Sequence, residues 1–276
     1  MPRRRGRGLL RRLGRLLAYG YLAAVLTFAG FIVYGLVSPY LGRLLSHPES
    51  KPPEPVTVRG GGVVIVDQFH HTDPSFTEEA SRLLKSMGYR VRIFKDDEVT
   101  VSFYKRLPTL GAGLYVLRVH AGVLNTSMET HLFTSEEYDK SSHWIEQLTD
   151  QVAKGMVNPL GGEKPVFTVG PFFVEMSMQG NFRGATIILS SCLGLYNHRL
   201  AKAFIEKGAG AFISWDEKVT LPHTDRAALR LLELLLANRM TISEAVSRVM
   251  EEVGVDPEYG AILRFYPRKA GDLRVE

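Results

Sequence analysis

The 276-residue chain has one cysteine, Cys192, so no intrachain disulfide and no multi-cysteine zinc site can form. Acidic residues are missing from the first 48 positions, and no residue from 16 to 42 is charged. A phosphate-cradling G-x-x-x-x-G-K-[ST] loop is absent, and Gly60-Gly61-Gly62 precedes a strand pattern and does not join a strand to a helix. There is no G-x-S-x-G nucleophile elbow. The basic character, +5 overall with a pI near 9.3, is confined to one end. Arg3, Arg4, Arg5, Arg7, Arg11, Arg12 and Arg15 supply it, and the 27 basic and 29 acidic residues that follow leave the rest slightly acidic. A nucleic-acid partner needs a basic face on a folded domain, so that class is excluded.

What is present begins with an apolar segment. Residues 16–38 read LLAYGYLAAVLTFAGFIVYGLVS, roughly 35 Å as a helix at 1.5 Å per residue, against a hydrocarbon core of about 30 Å. A cleaved signal peptide would have a shorter apolar region and a small-residue cleavage site. Arg11-Arg12 could form a twin-arginine signal, but an arginine-rich tail produces that pair readily. The expectation is a basic cytoplasmic tail (1–15) and a membrane anchor (16–42). The positive-inside rule places the C-terminal domain outside the cell membrane as a single-pass protein. Residues 43–62 carry four prolines and three glycines and read as a linker.

Residues 63–276 alternate strand and helix patterns. Strands are expected at Val63–Asp67, Tyr89–Phe94, Leu114–Val119, Ala185–Ser191, Ala211–Trp215 and Ala261–Tyr266. Helices are expected from Asp73-Pro74 to Gly88 with Asp73 as cap, and at Val101–Leu107, Leu200–Lys207, Thr224–Ala237 and Ile242–Val253. Strands apolar on both faces and separated by helices predict an α/β fold with a mostly parallel sheet between helical layers. An insertion at 125–183 interrupts the order, with a helix expected at Ser142–Lys154 and strands at Val166–Val169 and Phe172–Met176.

Ligands of open α/β sheets bind beyond the carboxyl ends of the strands. His120 and Cys192 both follow apolar strand runs, LYVLRV and ATIILSS, each with a glycine soon after, Gly122 and Gly194. Strands about 4.8 Å apart would let the two side chains face each other across one or two spacings. A thiol and an imidazole so placed suit nucleophilic attack on a carbonyl, with backbone amides near Gly122 and Cys192 holding the oxyanion. The competing reading of Cys192 is a small buried hydrophobe, and of His120 a histidine bonded to backbone. Asp67, Asp216 and Trp215 sit at strand ends where they could line a substrate pocket.

The remaining polar clusters say less. His70-His71-Thr72-Asp73 offers metal ligands without a second cluster, so no metal is expected. His131, His143, His198 and His223 lie in the insertion or on helix-flanking turns, where surface or capping roles are expected.

His120-Ala121-Gly122, then Ser190-Ser191-Cys192-Leu193-Gly194, then Gly208-Ala209-Gly210-Ala211-Phe212-Ile213-Ser214-Trp215, resembles the caspase-like (clan CD) cysteine peptidases, nearest the CHAT and gingipain-like branches. The likeness covers about residues 63–268. It implies a caspase-like αβα sandwich, a Cys192–His120 dyad, cleavage of protein or peptide substrates, and no cofactor. Ala121 stands where the family usually has glycine, and Ser190-Ser191 where basic-specific members often have an acid. These departures keep a second reading in view, an inactive module of the same fold that binds a partner. A third is another α/β hydrolase or sugar-binding domain using the same groove without the thiol.

Overall fold

The computed structural model describes residues 62–156 and 164–275, together with Thr27. The expected tail, anchor and most of the linker therefore lie outside the described residues. Among the described residues no helix is long and apolar enough to cross a membrane.

Six strands form the central sheet: β1 (Val63–Asp67), β2 (Val91–Lys95), β3 (Leu114–Arg118), β8 (Thr186–Leu189), β9 (Ala211–Trp215) and β10 (Leu263–Tyr266). Their order is β10-β9-β8-β3-β1-β2, and all pairs are parallel except β10 with β9. Every residue of β1, β3, β8 and β9 is buried, as β-branched and apolar runs covered on both sides require.

Alternation sends side chains to opposite faces. Val64, Val66, Tyr115, Leu117, Ile187 and Leu189 join one apolar cluster, with α2 (Val101–Arg106), α4 (Pro171–Met176) and α5 (Arg199–Glu206) packed over it. Ile65, Val116, Ile188 and Ile213 join the other, under α1 (Ser75–Ser86), α6 (Leu221–Leu232) and α7 (Ile242–Glu252). Each fully buried Val, Leu, Ile or Phe contributes about 1.5–3 kcal/mol, so both faces drive assembly. The result is the expected helix–sheet–helix sandwich with a largely parallel sheet.

The insertion builds a second sheet, antiparallel and ordered β4-β5-β7-β6, from Ala121–Val123, Thr130–Glu137, Val166–Val169 and Val152–Gly155. Its first strand begins directly after His120, earlier than the boundary at 125 inferred from sequence. Two expected elements of the insertion are corrected. Phe172–Met176 is helical, within α4: Pro171 occupies the first turn, where a missing N–H costs nothing. The helix expected over Ser142–Lys154 is only α3 (Trp144–Leu148), because Asp150 takes a left-handed φ of 54° and the chain continues as strand β6. Asp73 is not the cap of α1. Pro74 holds that position, while Asp73 Oδ1 accepts hydrogen bonds from the Ser75 amide and hydroxyl.

Candidate functional site

β3 and β8 are neighbours, in register from Leu114 opposite Thr186 to Leu117 opposite Leu189. The Ser190 amide extends the ladder by donating to the Leu117 carbonyl at 2.9 Å. His120 and Cys192 each lie three residues beyond the last matched pair, Leu117 and Leu189, at the same carboxyl edge. They also share parity. Leu117 and Leu189 face one cluster, while Arg118 and Ser190 face the other side, bonded to Asp225 and Thr224 of α6. The separation in the sheet is one strand spacing.

Cys192 is partly buried against the α6 side of the sheet. Its Sγ accepts from the Val219 amide and donates to the Val219 carbonyl, both at 3.5 Å. Burial pushes the thiol's pKa up, and the Val219 hydrogen bond only partly opposes that. The next residue, Leu193, has a left-handed φ of 59°. Its amide donates to the Glu217 carbonyl at 3.0 Å and its carbonyl accepts from Thr130 Oγ1 at 2.8 Å. Gly194 lies so close to β9 that a Cβ there would stand 2.1 Å from Ser214 Oγ. The loop after the thiol is thus pinned to β9 on one side and to β5 on the other.

His120 is held from three directions. Its amide donates to Gln68 Oε1 at 2.9 Å, and its carbonyl accepts from the Phe133 amide at 2.9 Å. Its ring meets Phe69 edge-on at 4.4 Å between centroids. Gln68 also donates its backbone N–H to Arg118 and its side-chain amide to Ser135 Oγ, tying the end of β1 to both sheets. Gly122, the expected oxyanion donor, sits opposite His131 in the β4–β5 ladder. Bonds between Phe133 and His120 and between Leu124 and Glu129 bracket it, and the alternation of antiparallel ladders turns the Gly122 amide toward β5. The same alternation turns the Ala121 amide away from β5. Glycine is not required to supply that donor.

Beneath the strand ends lies a group that sequence reasoning missed. Arg118 is fully buried, and all five of its N–H donors are used. Nε and Nη2 form a fork on Asp225 at 2.8 Å each, Nη1 reaches Asp67 Oδ1 at 2.8 Å and the Asp73 carbonyl at 3.1 Å, and Nη2 reaches Asp73 Oδ2 at 3.1 Å. The guanidinium also lies 5.2 Å from the ring centroids of Phe69 and Phe76. Burial disfavours its charge, but hydrogen bonds donated to Asp225 and Asp67 hold its pKa above the ordinary value. The signal available in the sequence was an arginine inside the otherwise apolar run LYVLRV.

The three weaker pocket candidates are placed elsewhere. Asp67 is wholly buried, spent on Arg118, on Thr77 Oγ1 at 2.7 Å and on the Phe69 amide. Asp216 accepts from the Ile262 amide at 2.8 Å and from Arg264 at 2.6 Å, bracing β10 against β9. Trp215 is 1% exposed and donates Nε1 to Thr224 Oγ1, which also meets Ser190 Oγ. These are supports of the strand ends, because each polar atom already has a partner inside the domain.

Among the other histidines, His131 and His223 are buried, which overturns the surface alternative of the surface or capping roles expected for them. His131 meets Thr168 Oγ1, and His223 contacts the Gly254 carbonyl. His143 precedes α3 and bonds Glu136, and exposed His198 stacks on Tyr266. Among the described residues no group of three His, Cys, Asp or Glu is placed to hold a metal ion.

No family model matches the chain, and no curated protein matches it. Among solved structures it is similar to the complex of Porphyromonas gingivalis RgpB pro- and mature domains, at 13% identity and a TM-score of 0.48. The match covers 79% of this chain and 49% of that one, so the chain spans about half the length of the structure it resembles.

Proposed function

We propose that the domain is a caspase-like cysteine peptidase in which Cys192 is the nucleophile and His120 the general acid/base. The observation that supports this reading is that β3 and β8 are adjacent parallel strands in register to Leu117 and Leu189, with His120 and Cys192 each three residues further along the chain. His120 takes the thiol proton as Sγ attacks a peptide carbonyl carbon. The amides of Cys192 and Ala121 hold the oxyanion, a role that needs only a backbone N–H. His120 then gives its proton to the leaving amine, and water hydrolyses the thioester. Residues 16–42 anchor the chain, with the domain outside and protein or peptide substrates near the bilayer.

The test is cleavage of a peptide library by the full chain in detergent, with Cys192→Ala and His120→Ala as controls. Cleavage lost in both variants supports the dyad; cleavage retained in either overturns it. A second reading, a binding module of the same fold, is favoured by the raised thiol pKa and the engagement of Sγ by Val219. Absence of cleavage and of labelling by thiol-directed acyl probes in the parent selects that reading.

A further inference from the structure

β4 stands at the end of the second sheet, paired with β5 on one side and, among the described residues, with no strand on the other. Two bonds fix the alternation of its ladder: the Phe133 amide donates to the His120 carbonyl, and the Leu124 amide to the Glu129 carbonyl. Residues 120, 122 and 124 are therefore the hydrogen-bonded positions, and Ala121 and Val123 turn their N–H and C=O groups away from β5. Both residues are half-buried, and among the described residues none of these four groups has a hydrogen-bond partner. The segment after the thiol meets the hairpin elsewhere. Thr130 Oγ1, opposite Val123, donates to the Leu193 carbonyl, and Asn197 donates to the Met128 carbonyl at 2.6 Å, so these contacts fall on a face and on the turn. The unpaired edge begins one residue after His120, and an unpaired edge is a template for another strand.

We infer that the free edge of β4 binds the leaving-group half of a peptide substrate as an added parallel strand; this rests on the reading of Cys192 and His120 as a dyad. A scissile bond held between the two leaves its acyl half on the thiol and its amine half beside the imidazole. The strand that issues from His120 thus runs along the amine half. The Ala121 amide, which holds the oxyanion, sets the register. In a parallel ladder a residue donates its N–H to the carbonyl before its partner and accepts from the N–H after it. With the carbonyl under attack on the Ala121 amide, the second residue after the cut donates its N–H to the Ala121 carbonyl. The carbonyl of that same residue accepts from the Val123 amide, and the fourth residue donates to the Val123 carbonyl. The N–H of the third points away. The substrates are then extended chains with at least two residues beyond the cut, gripped there through their backbone. A strand of three residues offers too few groups to hold a second copy of the chain, whereas a peptide already engaged at the thiol meets them at high effective concentration.

The first arm of the test alters only the substrate. A library peptide cleaved by the full chain in detergent is remade with one backbone N-methyl group, at the second or at the third residue after the cut, and kcat/KM is measured. A methyl removes the donor and sets a carbon in the ladder, so the second position should lose about tenfold and the third less than about twofold. Equal losses at both positions, or none at the second, overturn the added strand and leave the dyad in place. The second arm is Val123→Pro, which removes an edge donor that the β5 ladder does not use. It should lower kcat/KM for the unmethylated peptide about tenfold; a parent-like value, in protein whose urea transition shows it folded, overturns the placing of the strand on β4. A parent chain that cleaves no peptide of the library overturns the dyad, and this assignment with it.

Discussion

The buried imidazole of His131 makes the stability of the domain depend on pH in a calculable way. The ring lies in the second sheet against Thr168 Oγ1, and a Cβ on Gly170 would stand 2.3 Å from Nε2, so the imidazole is packed closely against the backbone there. Burial pushes its pKa down to about 4 from an ordinary 6.5. The unfolded chain therefore binds a proton that the folded one refuses, so stability is full above the unfolded pKa and falls as pH drops toward the folded one. The whole difference is worth about 3 kcal/mol, of which about 2 kcal/mol is lost between pH 7 and pH 5. Urea unfolding of the chain in detergent at pH 7 and pH 5, followed by tryptophan emission, measures it. His131→Gln keeps a polar group near Thr168 but cannot titrate, so its pH 7-to-5 loss should be smaller than the parent's by about 2 kcal/mol. Parallel losses in the two proteins would refute the claim that this ring is kept neutral by burial.

Three further perturbations test the site end of the sheet. Arg118→Met strands the carboxylates of Asp67, Asp73 and Asp225, and denaturant titration should show a loss of about 3–5 kcal/mol; a loss below about 1 kcal/mol would mean the cluster is not a buried ion network. Alkylation of Cys192 by iodoacetamide should titrate above the range of a free cysteine, since burial raises the thiol; a midpoint below pH 7 would show a resting thiolate. Gly194→Ala should cost about 1–3 kcal/mol by overpacking. Adding Ser214→Ala should recover only part, because Leu189 Cδ2 and the residue-214 Cβ still lie 2.7 Å from the new methyl.

The central sheet was legible because its strands are apolar on both faces and helices with clear apolar stripes separate them. VVIVD, LYVLRV and ATIILSS announce buried parallel strands with little ambiguity. The shared edge of His120 and Cys192 required only the strand-end rule, but their adjacency and matched register depend on strand order, which periodicity does not reveal. The insertion misled because its elements are three to eight residues long, where helix and strand patterns coincide. Phe172–Met176 reads as a short apolar run bounded by Gly170-Pro171, yet Pro171 in the first turn and the packing of Phe173 and Val174 make it a helix. Asp67 was read as lining a pocket because its partner, Arg118, was counted within the apolar run of its strand, and Asp216 because its partner, Arg264, lies 48 residues further on in β10.

One consequence of β3 concerns how such a domain can diverge. Arg118, which locks Asp67 and Asp225 together, is the last residue of β3, and His120 follows two residues beyond it with the same parity. A one-residue insertion or deletion there would swing the guanidinium into the opposite apolar cluster while displacing the imidazole, so folding and chemistry would fail at one stroke. The need to fold therefore constrains the length of β3 by itself, even under no demand for activity. Under the proposed mechanism, exchange of the side chains at positions 120 and 192 would abolish the chemistry while leaving the Arg118 network, and with it the shape of the strand ends, in place.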